Sequence, residues 1–359
     1  MKKFDYMEKF NFEQLVFFQD NDTGLKAITC IHNTVLGPGL GGTRLWNYAT
    51  EEEAVEDCLR LARGMTYKNS MAGLQLGGGK SVIIGDVKAI RSSSVRREAF
   101  WRTFGRFVDG LNGRYITAED MNTTCLDMDY VQMETPYVAG MRSKSGNPSP
   151  YTAHGVYKSL LACCKHVYGA DNLSGKTVAV QGMGAVAYAL TKKLHAEGVK
   201  LIFAELDDEK AEKAIAEFGA KRVDVKDIYS VDCDIFSPNA MGATMNDDTI
   251  PLLKCRVVCG GANNTLKDAS VHGQALKDRG IVYAPDYVAN AGGVINVSHE
   301  FDEGGYKEAS ALADIDRLYD RILEVLRTAG ETGLLPHQVA DQMAEARIEA
   351  VKKTKGIRR

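Results

Sequence analysis

The chain has 359 residues, 25% charged and 45% hydrophobic, and its 44 Lys and Arg against 47 Asp and Glu leave a net charge of −3. That balance is of a soluble globular protein and gives no electrostatic reason to expect nucleic acid or an anionic membrane surface. No apolar run is long enough to span a bilayer, and the opening Met1-Lys-Lys-Phe-Asp-Tyr-Met-Glu-Lys-Phe10 lacks a signal-peptide core.

The length favours two domains. In the first half, Thr50-Glu-Glu-Glu53 is a capping box, and Ala54, Val55, Leu59 and Ala62 follow at helical spacing. This predicts a helix running toward Gly64, with Lys68 just beyond its end. The next stretch, Gly77-Gly-Gly-Lys80-Ser, reads as a glycine turn, and Val82-Ile-Ile84 as a buried strand. A lysine at such a strand edge is a candidate for a desolvated amine that serves as a general base. The Gly-Lys-Ser triplet is not a phosphate-binding P-loop. The first glycine of that motif would fall at Leu74, and a strand follows the lysine where a helix should. Further on, 96–112 is an amphipathic helix, and Arg114-Tyr-Ile-Thr-Ala118 a short strand that delivers Glu119 and Asp120 at its end. Asp120-Met-Asn-Thr123 is also good helix-capping chemistry.

The Pro/Gly/Ser cluster Lys144-Ser-Gly-Asn-Pro-Ser-Pro150 marks the domain boundary, and a helix begins near Thr152. From Lys176 onward strands and helices alternate: Thr177–Gln181, the neighbourhood of Phe203, Val231–Phe236, Arg256–Cys259 and Ile281–Ala284. Such alternation predicts a parallel sheet covered on both faces, an α/β fold. The tail, 313–358, reads as two helices broken near Gly333–Pro336.

Within the alternating half, Gly182-Met183-Gly184-Ala185-Val186-Ala187 is Gly-x-Gly-x-x-Ala after a strand and opening a helix. Gly182 suits the tight turn, Gly184 lets a pyrophosphate approach the backbone, and Ala187 permits close helix–strand packing. The next strand ends in Glu205, placed to accept ribose hydroxyls. With Asp207 and Asp208 close by and no arginine expected beside it, NAD is favoured over NADP. The eight cysteines are scattered, which points to reduced thiols in a cytoplasmic enzyme. Neither the Cys255/Cys259 pair nor the seven histidines form a ligand cluster, so no metal site is expected.

Taken together, these motifs resemble the Glu/Leu/Phe/Val amino-acid dehydrogenase superfamily, and within it the leucine dehydrogenases. The resemblance runs nearly end to end. It includes Leu36-Gly-Pro-Gly-Leu-Gly-Gly-Thr-Arg44, the segment 61–85, Tyr115-Ile-Thr-Ala-Glu-Asp120, Ser145-Gly-Asn-Pro-Ser-Pro150, Ala262-Asn-Asn264 and 284–297. It implies an N-terminal α/β substrate-binding and oligomerisation domain, 1–146, joined by a C-terminal helix over 336–359. A Rossmann-type doubly wound NAD-binding domain would occupy 147–335, with the active site in the cleft between the two. By position, Lys68 would hold the substrate α-carboxylate, Lys80 would be the general base, and Asp120 would relay protons to the amino group. Asn263 and the Gly41-Gly42 turn would place substrate or nicotinamide. Leu40, Ala118, Val294 and Val297 would form an aliphatic side-chain pocket with no charge to hold a second carboxylate. The implied reaction is reversible oxidative deamination of a branched-chain L-amino acid to the 2-oxo acid and ammonia, by a homo-oligomer, an octamer. The sequence departs from the leucine enzymes' usual pattern at Gly39, Met121-Asn122, Asn239 and Gly261. No catalytic group is lost, but changes flanking the pocket keep a phenylalanine- or tryptophan-type preference open. A non-catalytic NAD- or amino-acid-binding regulator on the same fold is the reading from a different class.

Overall fold

The computed structural model describes residues 2–355. These fall into two units: one of 2–147, 297–306 and 344–355, the other of 148–296 and 307–343.

In the first unit, α1 (Lys3–Phe10), β1 (Gln14–Asp20), β2 (Leu25–Asn33) and β3 (Gly39–Trp46) precede the long helix α2 (Glu51–Met71). Then come β4 (Gly77–Ile84), α3 (Val87–Ile90), α4 (Ser94–Asp109), β5 (Tyr115–Glu119) and α5 (Cys125–Gln132). The sheet order is β1-β2-β4-β3-β5, with β3 parallel to both β4 and β5 and β2 antiparallel to β4. Side chains alternate across a strand. Even-numbered Val82 packs with Ile28, Cys30 and the α2 residues Cys58 and Leu59, while odd-numbered Ile83 packs with Trp101, Phe104 and Tyr115. Helices therefore cover both faces, and β4 lies at the centre.

Two local expectations change. Thr50 Oγ1 accepts the Glu53 amide at 3.1 Å and starts α2, but the Glu53 carboxylate reaches back to the Ala49 amide instead of closing the box. The helix does not stop at Gly64. A central glycine costs about 1 kcal/mol, whereas the buried stripe continues through Thr66, Asn69, Ser70 and Met71. Lys68 consequently lies on the last helical turn. The glycines of 77–79 are strand, not turn, and so are Gly41 and Gly42.

The second unit begins with α6 (Ser149–Tyr168) and alternates β6 (Thr177–Gln181), α7 (Ala185–Ala196), β7 (Lys200–Ala204), α8 (Asp208–Phe218), β8 (Lys221–Arg222), β9 (Ile235–Pro238), β10 (Val257–Val258), α9 (Ala269–Asp278) and β11 (Val282–Tyr283). The six strands run parallel in the order β11-β10-β9-β6-β7-β8. That is the doubly wound dinucleotide-binding arrangement, with its switch point between β6 and β9. After α10 (Asp286–Ala289) and α11 (Gly292–Ser298) the tail holds three helices, not two: α12 (Glu308–Asp316), α13 (Leu318–Thr332) and α14 (Pro336–Lys355). Arg317 both ends α12 and starts α13, so Ile315 and Leu318 fall on different helices. Residues 356–359 of the expected C-terminal helix lie outside the described ones.

The last part of α14 is anchored within the first unit. Ser70 Oγ donates to the Ala344 carbonyl at 3.0 Å, and Arg347 donates to the carbonyls of Ser70, Gly73 and Leu74 at the end of α2. The segment 297–306, expected with the nucleotide domain, also belongs to the first unit. There the buried Glu300 carboxylate accepts the amides of Gly140 and Ser145 at 3.0 and 3.2 Å.

Candidate active site

Lys80 sits in the middle of the central strand, its side chain 6% exposed. Glycine is required around it because backbones approach too closely for a β-carbon. One added at Gly41 would lie 1.8 Å from the Gly79 carbonyl oxygen, at Gly77 1.9 Å from that of Asn33, and at Gly78 2.1 Å from Thr66 Oγ1. The register pairs Leu40 with Gly78 and Thr43 with Ser81, and carrying it through puts Gly42 opposite Lys80. The bare Gly42 leaves room for what lies beyond it: an added β-carbon would meet Asp120 Cβ at 2.8 Å.

Asp120 reaches this face directly after β5, and its Oδ2 lies 2.9 Å from Lys80 Nζ. It does not cap a helix. Thr124 starts α5, in a box closed by Asp127. The same Asp120 oxygen takes Arg44 Nε at 3.1 Å, and Arg44 NH1 lies 2.9 Å from Asp57 Oδ2. Burial pushes the Asp120 carboxyl up, but the charges of Lys80 and Arg44 outweigh it and hold the group down at about 2. Asp57 follows the same pattern: burial raises it, while Arg44, the Tyr48 hydroxyl and Arg60 bring it below its usual range. Glu119, next in line, is raised by burial. The Cys58 thiol, pushed up to about 12 chiefly by burial, donates to the Lys80 carbonyl at 3.3 Å.

Lys68 is half-buried and paired on α2. One residue on, Asn69 is fully buried and donates to the carbonyls of Leu40 at 3.2 Å and Gly77 at 2.5 Å, tying the helix to both glycine strands. Leu40 and Ala118 are buried on the face of the sheet that carries Lys80. Val294 and Val297 are buried on α11, in the second and first unit respectively. Among the described residues no group of three or more His, Cys, Asp and Glu is placed to hold a metal, all eight cysteines are free thiols, and no helix is long and apolar enough to cross a membrane.

In the second unit the fingerprint turn suits a dinucleotide. Gly182 has φ 84°, a left-handed turn that disfavours a side chain, and an added β-carbon would also press on Ala240 at 3.0 Å. Gly184 opens α7 with no side-chain cap and with nothing within 4 Å of an added β-carbon. The backbone at the positive helix end is thus accessible to a phosphate. Met183, Ala185 and Val186 complete the turn, and Ala187 is 1% exposed against the sheet. Glu205 Oε2 accepts the Met183 amide at 2.6 Å, and Oε1 accepts those of Leu206 and Asp207. Burial raises this carboxyl, but the three amides outweigh it and lower its pKa. An arginine does stand beside Glu205: Arg222, from β8, donates to its carbonyl at 2.9 Å and pairs with Asp208. Sequence distance concealed it. Across the switch point the Asn239 Oδ1 accepts the Gly261 amide, and buried Asn290 donates to Asn263 Oδ1 at 2.7 Å.

Sequence reasoning missed Arg44, Asp57, Asn69 and Asn290 as contributors. Arg44 was visible only as the end of a glycine motif. Asn69 carried one usable signal, a short amide at a position where the helical stripe demands burial.

Comparison with known proteins gives the chain a family. The sequence model described as Glu/Leu/Phe/Val dehydrogenase, dimerisation domain, matches residues 12–137, and that described as Glutamate/Leucine/Phenylalanine/Valine dehydrogenase matches 203–353. The chain is 56% identical to leucine dehydrogenase of Thermoactinomyces intermedius, over 99% of its own length and 96% of the relative's. To leucine dehydrogenase of Geobacillus stearothermophilus it is 54% identical, over 99% and 95%. Among solved structures, L-tryptophan dehydrogenase from Nostoc punctiforme superposes with a TM-score of 0.83 at 40% identity, covering 98% of this chain and 99% of that one. The protein therefore belongs to the Glu/Leu/Phe/Val dehydrogenase family.

Proposed function

We propose that the protein catalyses NAD-dependent oxidative deamination of branched-chain L-amino acids, leucine together with valine and isoleucine, to the 2-oxo acid and ammonia. The observation that carries this reading is the Lys80–Asp120 pair, 2.9 Å apart on a buried strand face kept open by glycine. Family membership, with leucine dehydrogenases above 50% identity over nearly the whole chain, supports the substrate class. The aliphatic residues Leu40, Ala118, Val294 and Val297, none of which can pair with a second carboxylate, support it further.

In this reading Lys68 holds the substrate α-carboxylate. Asp120, acceptor-only while ionised, takes a proton from the substrate ammonium. As the amine lone pair forms the C=N bond, the α-hydrogen leaves with its electron pair. NAD, when bound at the Gly182–Ala187 turn with Glu205 at its ribose, supplies the hydride acceptor. Neutral Lys80 then removes a proton from water as it adds to the imino carbon, and Asp120 returns a proton to the departing nitrogen. Asn263 is exposed and has its Oδ1 taken by Asn290, which leaves its Nδ2 as the donor for substrate or nicotinamide. Gly41 and Gly42 act by leaving space.

The assembly is a homo-oligomer, for which an octamer is the expected number, and the location is the cytoplasm. Light scattering on the eluted protein tests the first. The decisive experiment for the activity is NADH formation with leucine, valine, isoleucine, phenylalanine, tryptophan and glutamate. Turnover led by the branched aliphatics is expected. Turnover led by phenylalanine or tryptophan would keep the mechanism and overturn the pocket assignment.

A further inference from the structure

A carboxylate has two oxygens, and Asp120 has only one of them loaded. Lys80 Nζ at 2.9 Å and Arg44 Nε at 3.1 Å both address Oδ2, whereas Oδ1 has no hydrogen-bond partner among the described residues. Arg44 is held on its other side. Its NH1 lies 2.9 Å from Asp57 Oδ2, which also accepts the Tyr48 hydroxyl at 2.7 Å, and Asp57 Oδ1 takes Arg60 at 2.9 Å. Side-chain exposures of 17% for Arg44 and 15% for Asp57 put this pair largely out of solvent. Arg44 also lies on the even-numbered face of β3, two residues beyond Gly42, so the strand itself aims it at Asp120.

We propose that Arg44, oriented by Asp57, is a positioning residue of the reaction. It fixes the plane of the Asp120 carboxylate so that Oδ1 is presented to the substrate amino group. It also supplies a permanent cation beside Asp120 during the part of the cycle in which Lys80 is neutral. Lysine could not serve both purposes: guanidinium stays charged throughout and offers a planar fork of donors, one edge for each carboxylate. The inference rests on the roles given above to Lys80 and Asp120.

Four variants test it, each assayed for kcat, KM and the pH profile of kcat/KM, with thermal unfolding measured alongside. Asp120→Asn tests the underlying reading: near-wild-type turnover in that variant overturns both. With Asp120→Asn inactive, the inference stands or falls on the other three. Arg44→Gln removes the charge, which disfavours the ionised carboxylate and relieves the neighbouring ammonium of a like charge. Both effects move the acid limb of kcat/KM to higher pH, by roughly one to three pH units, the span one adjacent charge commands. Arg44→Lys keeps the charge and loses the fork, so the acid limb stays while kcat falls about tenfold or more. Asp57→Asn frees the guanidinium and lowers kcat with little change in amino-acid KM. A merely structural role would lower the active fraction and leave the profile in place. An unmoved acid limb in Arg44→Gln overturns the proposal; should that variant not fold, wild-type kcat in Arg44→Lys or in Asp57→Asn does so.

Discussion

The Tyr115 hydroxyl donates to the Gly41 carbonyl at 2.6 Å, and its ring fills the space on the far side of the sheet where a β-carbon at Gly79 would come within 2.7 Å of Cδ2. The strand that carries Lys80 is therefore seated on a fully buried, hydrogen-bonded ring. Gly79→Ala forces either the ring or the strand to move. Overpacking of this kind costs about 1–3 kcal/mol, and the displacement reaches Lys80 one residue away. The expected outcome is a lower unfolding midpoint together with a larger fall in kcat than in NAD affinity. A variant with wild-type midpoint and kcat would show that the strand has slack.

The two lysines should separate kinetically. Lys80→Ala removes a general base, a loss of about 10²–10⁴ in kcat, with NAD binding by fluorescence titration near normal. Lys68→Ala should chiefly raise the amino-acid KM. Unchanged turnover in the first, or unchanged KM in the second, removes that residue's role.

At the ribose, Glu205→Ser deletes the negative charge while Arg222 remains at hydrogen-bond distance from the same backbone. The kcat/KM ratio for NADP over NAD should rise at least about tenfold, since like-charge repulsion of a 2′-phosphate is lost and a guanidinium is already near. If the ratio does not move, cofactor choice is made by other groups.

Acid sensitivity should have a buried histidine component. His32 is 6% exposed, its Nε2 donates to the Phe10 carbonyl at 3.0 Å, and its Nδ1 accepts from Thr66 Oγ1 at 2.7 Å. Burial chiefly lowers its pKa to about 4 from the 6.5 of a free imidazole. Between those values the unfolded chain binds a proton that the folded one refuses, so stability falls as pH drops through that window, by up to about 3 kcal/mol. Asp120 acts lower down: its contribution is full above about 4 and is lost toward about 2. Denaturant midpoints at pH 7 and pH 5 should differ for the wild type and differ less for His32→Gln. Equal pH slopes would remove the assignment.

The legible parts of this molecule were those written in local spacing. The alternation after Lys176 gave the parallel sheet, and Gly182-x-Gly184-x-x-Ala187 with Glu205 gave the nucleotide turn, because each needs residues close along the chain. Glycine misled in a consistent way. Gly64 reads as a helix stop and Gly77–Gly79 as a turn, since both cost conformational entropy in regular structure. The reason they are tolerated lies elsewhere: α2 keeps burying its stripe past Gly64, and the 77–79 backbone touches Asn33, Thr66 and Tyr115. No periodicity links Arg44 to Asp120 or Arg222 to Glu205. Those pairs exist only because strands far apart in sequence are neighbours in a sheet.

The placement of Lys80 on the even-numbered face of β4 gives the site a parity. Insert or delete one residue between Gly77 and Lys80, and the ammonium would point into the side occupied by Trp101, Phe104 and Tyr115, with every later side chain of the strand inverted along with it. Changes of length in β3, β4 or β5 are thus all-or-none for catalysis, whereas the largely exposed turn over 21–24 between β1 and β2 lies outside the strands that carry the site. A library of single-residue insertions would draw the boundaries of the catalytic unit as sharply as any set of substitutions.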